Sequence, residues 1–121
     1  MIKEGKIWGN TQTLFSKNNV EFHRIEVNKN FECSKHKHNH KFNAFYIERG
    51  KLKIKTWKKD YPLVDETIIE TGEMTVVKPG EYHLFCSLED TIAYEIYWTE
   101  IESDDIERET CGKPTKGEQN G

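Results

Sequence analysis

Three of the chain's five histidines, His36, His38 and His40, stand at i, i+2, i+4 spacing in the run Lys35 to His40, Lys-His-Lys-His-Asn-His. Successive side chains of a β-strand point to opposite faces. In a strand, therefore, the three imidazoles share one side, and Lys35, Lys37, Asn39 and Lys41 share the other. On a helix the same residues would spread over more than half the circumference. Neutral imidazole is a common ligand for divalent transition metals, so three rings converging from one strand begin a metal site. The alternative for these six residues is a solvated basic loop.

The rest of the chain must position such a site. At 121 residues it is long enough for one domain with its own core. Hydrophobic residues make up 35% and charged residues 32%, which implies a lean core and a wet surface. The 12% aromatic content suits strands with aromatic faces. No apolar run reaches the length of a membrane span, and the first residues, Met-Ile-Lys-Glu-Gly-Lys, hold no apolar stretch of a secretory signal. The three cysteines, Cys33, Cys86 and Cys111, are odd in number and form no CxxC pair. A reduced, cytoplasmic chain with incidental thiols is the expectation.

Charge is unevenly placed. From Lys35 to Lys59 there are nine Lys or Arg and one acid, Glu48, whereas Asp60 to Glu109 holds fifteen acids and two bases. The basic stretch could attract an anionic ligand. It also fits the outward half of surface strands, where lysine discourages strand-on-strand aggregation, and that reading is preferred. A sequence pI of about 6.0 lacks the footprint of a nucleic-acid binder, so no nucleic-acid partner is expected.

Short alternating segments follow one another with turn residues between them. Strands are expected at Lys6 to Trp8, Thr11 to Phe15, Val20 to Val27, Phe31 to His40, Ala44 to Glu48, Lys51 to Trp57, Leu63 to Glu70, Met74 to Val77, Tyr82 to Leu88 and Ile92 to Glu100. Lys51 to Trp57 alternates best, with Leu52, Ile54 and Thr56 on one face and lysines on the other. In the last strand Ala93, Glu95 and Tyr97 share one face, and Tyr94, Ile96 and Trp98 the more core-like other. No helix and no repeat stands out, so the fold class is all-β, a sandwich or barrel. One domain is expected over residues 1–102, followed by an acidic, then polar, mobile tail over residues 103–121.

Two stretches resemble the motifs of the cupin family, whose members fold as small jelly rolls. The first motif, G-x5-H-x-H-x(3,4)-E-x6-G, is met by His36, His38 and Gly50, with Asn43 in the place of its glutamate and Asn30 in the place of its leading glycine. The second, G-x5-P-x-G-x2-H-x3-N, is met by Gly72, Gly80 and His83, with Pro79 one place late and Ser87 for the final asparagine. The resemblance covers roughly residues 30 to 90 and implies a cupin jelly-roll β-barrel.

It also implies one divalent transition metal (Fe, Ni, Zn, Mn or Cu) on His36, His38 and His83, with Asn43 standing where a carboxylate would be. His40 or Glu95 could make up the fourth ligand. Asn43 would otherwise orient substrate or a bound water, and Tyr46, Glu95 and Tyr97 are candidates for acid–base work. Cupins include isomerases and epimerases, dioxygenases and lyases, so a metal-dependent enzyme acting on a small polar or anionic molecule is one expectation. A binding module without turnover is the other, because one fold hosts many functions. His23 lies outside both motifs and reads as structural. A homodimer is expected, with Trp8, Trp57 and Trp98 available for an interface or for the core.

Overall fold

The computed structural model describes residues 3–99, 107, 109 and 112–115. Nine strands are formed among them: β1 (Lys3–Lys6), β2 (Gly9–Lys17), β3 (Val20–Val27), β4 (Phe42–Arg49), β5 (Lys51–Trp57), β6 (Val64–Glu70), β7 (Met74–Val77), β8 (Tyr82–Ser87) and β9 (Thr91–Trp98). All paired strands run antiparallel, in a six-stranded sheet of order β1-β2-β3-β9-β4-β7 and a three-stranded sheet of order β6-β5-β8. The expected tail falls mostly outside the described residues.

The alternation that marks the strands also fills the core. Inward residues Ile25 and Val27 of β3, Phe45 and Ile47 of β4, Leu52 and Ile54 of β5, and Phe85 of β8 are buried between the two sheets. Trp8 follows β1 in the turn before β2, where its ring meets Phe85 edge to face at 5.1 Å. It belongs to the core and offers nothing to an interface. Gly50, at the β4–β5 corner, has φ +112°, and a Cβ there would stand 2.6 Å from the Asp90 carbonyl oxygen. Only glycine fits that close approach.

Outward residues tell two different stories. On β5 the lysines meet acids of β6: Lys51 lies 3.1 Å from Glu70 and Lys53 lies 3.5 Å from Glu66. The outer face of the large sheet is apolar instead. Phe15, Phe22, Ile96, Ala44 and Val76 form one cross-strand row, and Arg24, Tyr94, Tyr46 and Met74 the next. Phe22 packs on Tyr94, and Phe42 stacks on Trp98 with ring centroids 5.4 Å apart in both pairs.

Two expectations change here. Phe31 to His40 is no continuous strand but an irregular segment bound along the free edge of β8. Cys33 N donates to Phe85 O, and His36 and His83 exchange backbone hydrogen bonds of 3.0 and 2.8 Å. Glu32 bridges Cys86 while His36 bridges His83, so four steps on the segment match three on β8. The extra residue is a bulge, and it resets which side chains face inward. In β9 the faces are the reverse of what the apolar pattern suggested. Ala93 and Glu95 are buried inside and Tyr97 lines the interior cavity, whereas Tyr94, Ile96 and Trp98 lie on the outer aromatic face. Both faces of β9 carry apolar residues, so hydrophobicity alone could not tell them apart.

Candidate metal centre

The bulged segment and β8 bring three imidazoles together. One nitrogen from each of His36, His38 and His83 falls within 4.8 Å of the other two. Two of the rings are held by backbone carbonyls. His36 Nδ1 donates to Ser34 O at 2.7 Å and His83 Nδ1 donates to Glu81 O at 3.0 Å, which leaves the lone pair of each on Nε2. His38 is pinned through its carbonyl, which accepts from Gly80 N at 2.7 Å, at the turn where Gly80 has φ +86°. Burial, reinforced by His36 and His83, pushes the His38 imidazole down to about 4, and burial lowers His83 as well. The neutral, ligating forms therefore dominate at neutral pH.

Two observations test whether these residues fit a metal. His38 Nε2 is buried and has no hydrogen-bond partner, and such orphaned polar atoms are costly. Asn43, fully buried on β4, donates from Nδ2 to Ala44 O, which turns its Oδ1 toward His83 Nε2 at 3.1 Å. With the His83 proton on Nδ1, that pair is acceptor against acceptor. A cation shared by the two satisfies both, and the same cation satisfies His38. The donor set fits a divalent transition metal.

The centre opens into a cavity of about 1040 Å³ lined by β1, β2, β3, β8, β9 and the bulged segment. Glu95 is buried in its wall, with Oε2 accepting from Tyr97 OH at 2.6 Å. Burial raises the Glu95 carboxyl above its ordinary value, against the lowering effect of Tyr97. The Tyr97 hydroxyl is itself held well above the usual phenol range by burial and by Glu95. Its ring lies edge-on to His38 at 5.0 Å, so Glu95 and Tyr97 adjoin the centre without belonging to the three-ring cluster.

Not every expected site residue is brought here. His40 lies exposed in a bend and is not part of the cluster. Tyr46 points the other way, 40% exposed on the outer face of β4. His23 does line the cavity, hydrogen-bonded to Thr13 at 3.0 Å and to Glu21 at 3.1 Å, and Glu21 is paired with Lys41. The sequence did carry a signal for it, since Glu21 and His23 share strand parity with buried Ile25 and Val27. Cys33 also lines the cavity, but burial pushes its thiol up to about 12, so it stays protonated.

No protein-family profile and no curated protein sequence matches the chain. Solved structures do. KdgF from Halomonas sp. superimposes with a TM-score of 0.70 at 10% identity, over 84% of this chain and 90% of that one. The Schizosaccharomyces pombe Cnp3 cupin domain gives 0.68 at 14% identity, over 83% and 69%. The chain has a cupin fold. Bacillus subtilis oxalate decarboxylase, whose Mn(II) centres are described, matches with a TM-score of 0.73 at 10% identity, over 81% of this chain but 27% of that one. At these identities the likeness extends to the fold and no further.

Proposed function

We propose that this cupin holds a divalent transition metal on His36, His38 and His83, with Asn43 Oδ1 beside it, and acts on a small polar or anionic molecule in the adjoining cavity. The observation that carries this is the convergence of three imidazoles, two oriented by backbone carbonyls and the third with an orphaned buried nitrogen. Bound there, the metal would polarise a carbonyl or activate water. The chain's own groups supply the rest. Glu95 and Tyr97 form a hydrogen-bonded pair able to hold or accept a proton at the cavity wall, and His23 and Lys41 line the side where a ligand would enter. Isomerisation or epimerisation, oxygenation and lyase chemistry all suit such a site. Elemental analysis of purified wild type beside His36→Ala and His83→Ala tests it. Near-stoichiometric metal lost in both variants is the expected result, and metal near zero in all three rejects the proposal.

A second reading, ligand capture without turnover, is favoured by Asn43, because the neutral amide leaves the centre more positive and better suited to holding an anion than to cycling. A metabolite screen separates the two through product formation. A reducing, cytoplasmic setting is part of the proposal, supported by the free thiols of Cys33 and Cys86. Among the described residues, no helix is long and apolar enough to cross a membrane. We also infer a homodimer, supported by the apolar outer face of the large sheet.

A further inference from the structure

The donors at the centre are all neutral: three imidazoles and an amide oxygen. The carboxylates that line the cavity are already engaged. Glu4 is paired with Lys6 at 2.5 Å, Glu21 with Lys41 at 3.0 Å and His23 at 3.1 Å, and Glu95 accepts from Tyr97. Glu21 acts on His38 and Glu95 on His36 and Asn43 across the cavity, yet among the described residues neither carboxylate joins the 4.8 Å cluster. A dication held here would keep most of its charge in a half-buried place, and uncompensated buried charge is expensive. The remaining open side of the centre is the cavity itself, large enough for a small metabolite.

We propose that the missing negative partner arrives with the ligand: the centre formed by His36, His38, His83 and Asn43 selects a small oxyanion, a carboxylate or a phosphate, and binds metal and anion cooperatively. This rests on the metal-centre proposal above. The charge argument excludes a neutral sugar or polyol as the preferred ligand. Coupling of this kind is reciprocal, so the anion must tighten the metal by the same factor by which the metal tightens the anion.

The test measures Mn(II) affinity of the whole chain from the electron paramagnetic resonance signal of free Mn(II). It is run alone and with oxalate, inorganic phosphate or glycerol, after correction for complexes that the anions form with Mn(II) in solution. The expected result is that oxalate or phosphate tightens Mn(II) about tenfold or more while glycerol does not. The anion that acts identifies the source, carboxylate or phosphate. In Asn43→Asp the protein's own carboxylate should tighten Mn(II) without added anion and abolish the anion effect. If that variant does not fold, the wild-type comparison decides alone. The inference is overturned by Mn(II) bound equally well in all four conditions, by a glycerol effect equal to the anion effect, or by an anion effect that survives in folded Asn43→Asp. Loss of Mn(II) binding in Glu95→Gln also overturns it, since the carboxylate would then be Glu95. Wild type that binds no Mn(II) under any condition rejects the metal centre itself, a different outcome from metal binding that ignores anions.

Discussion

His83 Nε2 and Asn43 Oδ1, both buried, face each other at 3.1 Å, two acceptors with no proton between them once His83 Nδ1 has donated to Glu81 O. The strand register explains how they meet. Thr56 and His83 pair across β5 and β8, and Asn43 pairs with Tyr97 across β4 and β9, so one residue from each sheet points at the same interior spot. A cation shared between them would satisfy both acceptors.

That relationship predicts a tautomer. Nitrogen NMR of the metal-free protein should show His36 and His83 protonated on Nδ1 with Nε2 unprotonated. Adding Zn(II) should shift Nε2 of His36, His38 and His83 and leave His40 unmoved. His40→Ala should keep full metal occupancy, whereas His83→Ala should weaken the metal more than the roughly 10–100-fold typical of residues that only support a ligand. A Zn(II)-induced shift at His40 would show that the bend carrying it closes over the centre.

Stability of the metal-free protein should depend on His38 in a definite direction. Burial first, then His36 and His83, hold its folded-state value at about 4 against an ordinary 6.5. Between those values the unfolded chain binds more protons than the folded one. Stability is therefore full above 6.5 and declines as pH falls through about 4. Glu95 acts oppositely: its raised carboxyl contributes most at low pH and loses that contribution as pH rises through the raised value. Thermal unfolding between pH 7 and 4 should show a smaller acid loss in His38→Gln than in wild type. Identical profiles would mean that His38 is not the group responsible.

Gly50→Ala should destabilise the fold by about 2 kcal/mol or more, from the left-handed φ and the clash with the Asp90 carbonyl. Gly72→Ala, at φ +84° but with open space around its Cβ position, should cost less. Urea unfolding of the two variants checks the order, and a Gly72 variant weaker than the Gly50 one would contradict the packing account.

How much of this could be read from the sequence depended on how regular the backbone is. The alternation is clear in Lys51–Trp57, whereas in Val20–Val27 apolar Phe22 and Ile25 fall on opposite faces, yet both segments form the strands expected of them. His36, His38 and His83 were legible through their spacing to Gly50, Gly72 and Gly80, which fix turns and corners. The segment carrying His36 was not legible as a bulged edge, because no residue type marks an extra residue between Cys33 and His36. Glu95 and Tyr97 were legible as candidates, but Tyr94, Ile96 and Trp98 misled as the core-like face, because the polar cavity wall and the aromatic outer face of β9 reverse the usual sense of inside and outside. His23 was legible by parity but lay outside any motif.

That outer face leads to a last prediction. Phe15, Tyr46, Met74 and Val76 are exposed there, beside the part-buried Phe22, Tyr94, Ile96 and Trp98. An apolar sheet face of this extent is where the proposed homodimer would be sealed. Charge favours a second copy. Arg24 on β3 is paired with Glu26 at 2.6 Å, and Glu48 on β4 accepts from Tyr94 OH, so the face has no excess of either sign to repel its like. β3 and β4 flank β9 on opposite sides, and a two-fold axis along β9 would lay the Arg24 side of one copy over the Glu48 side of the other. Sedimentation should therefore find a dimer for wild type and a monomer for the double variant Met74→Lys, Val76→Lys, with unchanged circular dichroism. Tyr82→Lys, exposed on the small sheet, should leave the dimer intact. A monomeric wild type, or a dimer that survives both β7 lysines, would place the contact elsewhere or remove it.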